Sequence, residues 1–246
     1  MSDFDVTLPC DILRAVALAV SNEETRYYLQ GVSVEPDGAT LHLVATDGHR
    51  LMIARVPEII PGEKFIIPAE IIARAMKGHK APGIGLARRG GAYTLGDILF
   101  RPVDGSFPDW SRVMPNMSEL GTLAQYDPAY LEGFRKAAVM LGDRGSKPQV
   151  HHCGHSPALV TFYGRSDIFG LCMPYRNADK REPAELKSMV ADMTRKARAA
   201  AHNRHFVYVK PSPGTVLLWE SWLRHEVPVN MAAEDRISVS FNAVLV

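Results

Sequence analysis

TRYYLQGVSVEPDGATLHLVATDGHRL, residues 25–51, is the stretch of sequence that decides the fold. Apolar and β-branched residues concentrate at about 28–34 and 40–45, which predicts two strands. Pro36-Asp37-Gly38 stands between them and is typical of a tight turn. We therefore expect a pair of antiparallel strands as the unit around which the chain is built.

Two polar groups flank this pair of strands. Arg26-Tyr27-Tyr28 lies at the front and combines a guanidinium with two phenols. At the back, the residues TDGHR (46–50) form a polar turn that closes onto a further apolar strand, which ends near Val56. The Asp-Gly pair favours a turn by itself, so the polar side chains around it have either a structural or a binding role.

The composition limits the possible classes of protein. With 246 residues, 46% of them hydrophobic and 22% charged, the chain can bury a core and fits one or two domains. Its net charge of +1 means that any contact with nucleic acid depends on local groups of Lys and Arg. Cys10, Cys153 and Cys172 are odd in number and far apart, which favours a reducing compartment. The N-terminus lacks a signal peptide pattern and no apolar run approaches ~20 residues, so we expect a cytoplasmic protein without membrane contact.

A strand, a proline, a helix and further strands recur three times. The first unit opens with FDVTL and Pro9, the second with KFIIP at Pro68, and the third with AQYDP at Asp127-Pro128. Apolar residues at helical spacing follow each start, and the units are roughly 60 residues apart, which indicates an internal repeat. We predict an α+β fold in which helices pack on one face of antiparallel strands.

The composition changes after this repeat. Residues 179–204 are charged and rich in alanine, which predicts a helix. We interpret this helix as a solvated linker, and the alternative is a basic helix that binds DNA or a partner. Residues 205–246 contain further apolar runs and predict a β-rich tail.

Three linked motifs carry a resemblance to a known family. They are ETRYYLQGV (24–32), LVATDGHRL (43–51) and DGSFPDWSRVMP (104–115). In this order they resemble the middle domain of the bacterial DNA sliding clamp, the beta subunit of the replicative DNA polymerase, over residues 1–115. Residues 116–178, which include CMPYR, resemble the end of the clamp's third domain. The resemblance implies DNA-clamp-like repeats and a ring-shaped processivity factor that encircles duplex DNA and tethers polymerases without catalysing a reaction.

The resemblance implies that Arg26, Tyr27 and Tyr28 contact DNA. A guanidinium pairs with phosphates, and phenols bond to backbone oxygens or stack on bases. Such contacts do not depend on base sequence and weaken as salt rises. The residues alone leave open an alternative in which the two tyrosines only bury their rings at the end of a strand.

The resemblance also implies a hydrophobic pocket for short peptides of DNA polymerases and repair proteins. Apolar side chains would form an adaptable floor, and a few polar groups would orient the peptide. The matching residues are Leu29, Thr46, Gly48, His49, Arg50, Leu51, Pro108, Arg112, Val113, Met173, Pro174 and Arg176. Further partners implied by the family are a clamp loader and, where a ring forms, other copies of the chain.

The chain departs from the family in its domains. The clamp's first domain and the first half of its third have no counterpart in the sequence. A higher oligomer, a ring completed by a partner, and a decoy for polymerase peptides that forms no ring therefore remain open.

Residues 206–246 resemble the C-terminal end of iron(II)/2-oxoglutarate-dependent oxygenases. This resemblance implies that His225 would ligate Fe(II) and that Arg236 would bind the carboxylate of 2-oxoglutarate. The sequence contains no His-x-Asp or His-x-Glu pair to complete the facial triad. We therefore expect no cofactor and no enzyme activity, and an oxygenase is the alternative function.

Overall fold

The structure is a computed structural model that describes residues 3–142, 147–175 and 183–202. The chain divides into two compact units, Met1–Lys180 and Arg181–Val246. Among the described residues, the first unit holds the strands and three α-helices, and the second holds one α-helix.

Helices and short antiparallel strands alternate along the first unit. The strands are β1 (Phe4–Pro9), β2 (Gly31–Pro36), β3 (Leu41–Thr46), β4 (Arg50–Val56), β5 (Phe65–Pro68), β6 (Gly83–Arg89), β7 (Ala92–Leu95), β8 (Ile98–Phe100), β9 (Gln149–His151), β10 (Ala158–Phe162) and β11 (Arg165–Cys172). The α-helices are α1 (Cys10–Ala17), α2 (Ala69–Met76), α3 (Pro128–Met140) and, in the second unit, α4 (Pro183–His202). Short 3-10 helices cover Glu24–Leu29, Trp110–Val113 and Met117–Glu119.

The strands form two antiparallel sheets. A seven-stranded sheet has the order β5-β2-β3-β4-β11-β10-β9, and a four-stranded sheet has the order β1-β6-β7-β8. The larger sheet joins distant parts of the chain, because β4 pairs with β11 in a register that sets Arg50 opposite Cys172 and Leu51 opposite Leu171. The end of β11 therefore lies beside the turn that precedes β4.

The predicted α+β fold of helix and strand repeats is confirmed. The third unit differs in one respect, since no strand precedes α3 within residues 101–127. Isolated hydrogen bonds replace a strand ladder there. Tyr175 N donates to Gln125 O at 2.8 Å, and Ala124 N donates to the His152 ring at 3.2 Å. These hydrogen bonds satisfy single backbone groups without forming a ladder, so the segment before α3 is irregular.

The three helices of the first unit begin at the prolines where the sequence predicts them. Asp127 caps α3 by accepting a hydrogen bond from Ala129 N at 2.8 Å, and Pro128 occupies the first turn. Pro9 and Pro68 precede the first residues of α1 and α2. These prolines let each helix begin directly after a strand.

The three helices of the first unit pack against the inner faces of both sheets. Alternate strand residues such as Leu43 and Met52 meet the apolar side of α1, including Val16. Helix α3 joins this core through Phe134, which is only 2% exposed. Its ring lies against Gly170 of β11, where a Cβ atom would collide with it. The absence of a side chain at Gly170 therefore lets α3 approach the sheet.

A second apolar cluster lies on the outer face of the seven-stranded sheet. Its buried members are Leu29, Val44, Leu51, Ile53, Ile66, Phe107 and Leu171. Residues 101–113, which follow β8, bring Phe107 into this cluster and anchor Trp110, whose Nε1 donates to Glu35 Oε2 at 3.0 Å. The cluster forms the floor of the candidate site described below.

A helix, α4, is present where the charged segment predicts one. Met189, Val190 and Met193 on it are exposed. The β-rich tail predicted for 205–246 lies outside the described residues. Across the parts of the chain that the structure describes, we find no helix with the length and apolar character needed to span a membrane.

Candidate functional site

The turn between β3 and β4 is held by its own side chains. Asp47 Oδ1 accepts hydrogen bonds from the backbone N–H groups of His49 and Arg50, both at 2.9 Å. Thr46 Oγ1 donates to Arg50 O at 2.8 Å and accepts from Gly48 N at 3.1 Å. Gly48 has φ +90°, a conformation that favours glycine. The predicted polar residues therefore form a rigid turn.

The side chains of this turn contact the start of α3. The His49 ring stacks on Tyr130 with centroids 5.5 Å apart and planes at 12°. The guanidinium of Arg50 lies 5.7 Å from the centre of the same ring, and its Nε donates to Asp47 Oδ2 at 2.9 Å. Arg50 also lies against Gly133, where a Cβ would collide with it. Tyr130 and Gly133 are thus part of the site.

The chain after β11 runs along the same turn. Met173 N donates to His49 O at 2.8 Å, and Tyr175 N donates to Gln125 O at 2.8 Å. Met173 and Pro174 are half-buried, and Tyr175 is exposed. These bonds bring the second predicted segment of the pocket into contact with the first.

Burial and two carboxylates raise the pKa of phenol and thiol groups at the turn before β4. Burial raises the pKa of Tyr130, and the charges of Asp47 and Asp127 raise it further. The Asp127 charge raises the pKa of Tyr175, whose hydroxyl donates to Asp127 Oδ2 at 3.3 Å. Burial raises the pKa of the Cys172 thiol to about 12. The phenols of Tyr130 and Tyr175 are therefore neutral hydrogen-bonding groups beside the Arg50–Asp47 ion pair, and the buried Cys172 is not a thiolate nucleophile.

The floor and the outer border of the site differ in exposure. Leu29 and Leu51 are buried in the outer cluster together with Leu171. The border carries the remaining predicted residues Pro108, Arg112 and Val113, which are exposed on the loop after Phe107. Arg112 pairs with Asp109 at 3.3 Å. Arg176, the last predicted pocket residue, lies outside the described residues.

Residues 26–28, the RYY group, lie before the strand predicted at about 28–34, which begins at Gly31. The RYY group belongs to a 3-10 helix, Glu24–Leu29. Arg26 and Glu23 form an ion pair at 3.2 Å across one turn of it, which favours the helical conformation. Tyr27 and Tyr28 pack edge to face at 5.8 Å, and both lie near Gly105 of the loop after β8.

The RYY group and the turn at 46–50 are neighbours in space. Arg26 Nη1 lies 2.8 Å from the position that a Cβ atom of residue 48 would occupy. Tyr27 is 53% exposed, whereas Tyr28 packs partly against the outer cluster. The two ends of the stretch quoted first therefore meet on one surface.

Sequence reasoning did not identify Tyr130 and Gly133 as members of the site. A signal was present, because a glycine inside the apolar helix pattern of α3 often has a packing reason. Here the neighbouring group is the guanidinium of Arg50.

The fold resembles that of the bacterial DNA sliding clamps. Residues 9–109 match the family described as DNA polymerase III beta subunit, central domain. A solved structure of the DNA polymerase III beta subunit from Thermotoga maritima has the same fold, with a TM-score of 0.57 and 18% identity over 72% of this chain and 67% of that one.

Individual relatives agree with this class. The beta sliding clamp of Escherichia coli (strain K12) is 28% identical over 155 residues, which are 58% of this chain and 42% of that protein. The beta sliding clamp of Caulobacter vibrioides is 38% identical over 112 residues, 39% of this chain and 30% of that protein. The chain thus spans less than half the length of the curated relatives that it matches. Its predicted resemblance to bacterial DNA sliding clamps is confirmed.

A second family matches the later part of the chain. Residues 149–242 match the family described as putative 2OG-Fe(II) oxygenase, a longer stretch than the predicted 206–246. The match includes β9–β11, which belong to the large sheet through the pairing of β11 with β4. Within the described residues, no three His, Cys, Asp or Glu side chains come together as an Fe(II) site requires. His225 and Arg236 lie outside the described residues.

Proposed function

We propose that this chain is a non-catalytic module of the sliding-clamp class that docks a short apolar peptide of a DNA polymerase or repair protein. The observation that carries the proposal is that three segments, residues 46–51, 173–175 and the start of α3, meet at the turn before β4, where Leu51 enters the outer apolar cluster. We further propose that residues 1–115 act as the middle-domain-like part and residues 116–178 as the part that completes the pocket.

The chemistry of this pocket suits a peptide with apolar anchors. Leu29 and Leu51 supply a fixed floor, and Met173 supplies an unbranched side chain that adapts to different shapes. The hydrogen-bonded turn presents His49 in one orientation, stacked on Tyr130. Because these groups are held before a peptide arrives, less conformational entropy is lost on binding.

Binding of a fluorescein-labelled clamp-binding pentapeptide, measured by fluorescence polarisation, tests the pocket. We expect saturable binding, and we expect Met173→Ala to weaken it about tenfold because the mutation removes an apolar side chain from the centre of the pocket. Met140→Ala is the matched control, since Met140 lies at the far end of α3 and is exposed. Equal affinity of wild type and Met173→Ala, or no binding at all, would contradict the proposal.

We also propose that the RYY group contacts duplex DNA when copies of the chain assemble around it. Arg26 supports this because its partner Glu23 is a surface carboxylate, and a pair of this kind contributes about 0–1 kcal/mol. A phosphate can therefore replace Glu23 at little cost. The exposed phenol of Tyr27 is available to the DNA backbone or to a base.

Anisotropy of a labelled duplex at several salt concentrations tests this proposal. We expect Arg26→Gln to weaken binding and to lower the slope of log affinity against log salt by about 0.9, because one fewer phosphate is neutralised. Arg89→Gln is the control, since Arg89 is also exposed and paired with a carboxylate, Asp5, at 2.6 Å. An unchanged slope in Arg26→Gln would contradict binding of DNA at this position.

In this proposal the chain acts in the cytoplasm, without a cofactor, alongside a polymerase and a clamp loader. The match to an oxygenase family is the observation that favours a second function, oxidation coupled to 2-oxoglutarate. We do not adopt it, because the sequence contains no His-x-Asp or His-x-Glu pair to supply two of the three ligands of a facial triad. Release of succinate above background in the presence of Fe(II) and 2-oxoglutarate would overturn this choice.

A further inference from the structure

A groove of about 180 Å³ lies on the outer face of the seven-stranded sheet, beside the peptide pocket. It has apolar, aromatic and charged walls. The residues that matter for what it binds are His42, Ile53, Arg55, Trp110, Asp167 and Phe169. Apart from Trp110, which begins the 3-10 helix Trp110–Val113, these residues come from β3, β4 and β11.

The register of the sheet sets the position of this groove. Leu51 pairs with Leu171 on the outer face, and two residues further along the same strands Ile53 pairs with Phe169. The Leu pair belongs to the floor of the peptide pocket, and the Ile–Phe pair forms the floor of the groove. A step of two residues along a strand is about 7 Å. The groove is therefore within reach of the residues that follow or precede the anchors of an extended peptide bound in the pocket.

One wall of the groove is fixed by hydrogen bonding. Trp110 Nε1 donates to Glu35 Oε2 at 3.0 Å, and the indole ring packs against His42 at 5.8 Å. Ser33 donates to the other oxygen of Glu35 at 2.8 Å. The Glu35 carboxylate is therefore engaged, and it holds Trp110 in place above the strands.

Two charged side chains, Asp167 and Arg55, line the groove and differ in their hydrogen bonding. Both oxygens of Asp167 accept hydrogen bonds from Arg165, at 2.8 Å each, and these bonds lower the pKa of Asp167. Arg55, on the neighbouring strand, is exposed and makes no hydrogen bond or ion pair within the part of the chain that the structure describes. Arg165 also pairs with Asp11 at 2.9 Å, so two carboxylates share its charge. The charge of Arg55 helps to lower the pKa of Asp167, but its guanidinium N–H groups are not used by the described residues and are available to a ligand.

We propose that this groove binds an acidic residue next to the apolar anchors of the docked peptide, and that Arg55 pairs with its carboxylate. The inference rests on the peptide docking proposed above and adds a charge preference to it. The aliphatic stem of the acidic residue lies on Ile53 and Phe169, and its carboxylate meets the guanidinium at the rim. A peptide without that carboxylate leaves Arg55 solvated and gains no affinity from the groove.

The test compares extended forms of the clamp-binding pentapeptide. Two aspartates or two asparagines are added at the N-terminal or at the C-terminal end, and binding is measured by fluorescence polarisation at low salt. We expect the aspartate form to bind about three- to fivefold tighter than the asparagine form at one of the two ends, the size of a partly exposed ion pair. Arg55→Gln removes this difference and leaves the affinity of the parent pentapeptide unchanged. Arg89→Gln, on the four-stranded sheet, retains the difference.

Two results overturn the inference. One is equal affinity for aspartate and asparagine at both ends, and the other is a difference that survives Arg55→Gln. Both leave the proposed docking function intact as long as the parent pentapeptide binds and Met173→Ala weakens it. If the parent pentapeptide does not bind, the docking function fails and this inference fails with it.

Discussion

Replacing Phe134 with alanine is expected to lower the free energy of unfolding by about 3–5 kcal/mol, the usual cost of deleting a buried aromatic ring. Phe134 is 2% exposed and fills the space above Gly170, so its removal leaves a cavity between α3 and β11. It is also the largest fully buried side chain of α3. Urea denaturation followed by circular dichroism measures the change.

The same helix supplies the control for this prediction. Val139 lies further along α3 and is 47% exposed, so Val139→Ala is expected to change the unfolding free energy by less than about 0.5 kcal/mol. A decrease in Phe134→Ala that is no larger than in Val139→Ala would show that α3 does not stabilise the sheet in the way described.

Replacing Asp47 with alanine is expected to cost about 2–3 kcal/mol of unfolding free energy and to weaken peptide binding. The Asp47 carboxylate accepts two backbone hydrogen bonds in the turn and one from Arg50. Both side chains are mostly buried, at 16% and 19% exposure, so the mutation leaves the Arg50 charge without its partner. Urea denaturation and fluorescence polarisation measure the two effects.

Asp47→Asn distinguishes the contribution of the hydrogen bonds in the turn from that of the Asp47–Arg50 ion pair. An asparagine oxygen still accepts the N–H groups of His49 and Arg50, whereas the charge opposite Arg50 is removed. We expect it to lose less than half the stability that Asp47→Ala loses and to keep most of the peptide affinity. Equal losses in the two variants would mean that the ion pair, and not the hydrogen-bonded turn, holds the site.

The regular parts of this fold are predictable because their signals are local. The apolar runs of β2–β4 and the Asp127-Pro128 start of α3 need only neighbouring residues to be recognised. The strand predicted at about 28–34 begins only at Gly31, after the RYY group and Leu29. The ion pair of Arg26 with Glu23 and the hydrogen bond from Ser21 N to Leu29 O, 3.1 Å, stabilise a 3-10 helix instead.

The candidate site could be predicted only in part, since it depends on contacts between distant residues. The family motifs point to the turn at 46–51 and to Met173, but not to the pairing of Arg50 with Cys172 that brings them together. Tyr130 enters the site because α3 packs over Gly170, which no local pattern reveals. The groove at Arg55 likewise requires the register of β4 against β11.

The position at which a peptide binds is the central claim, and nuclear magnetic resonance tests it most directly. Unlabelled clamp-binding pentapeptide is titrated into the isotope-labelled chain, and the shifts of the backbone amide signals are followed. We predict that the largest shifts cluster at Gly48, His49, Leu51, Leu171 and Met173. Shifts confined to the exposed sides of α1, α2 and α3, or no shifts at saturating peptide, would contradict the account.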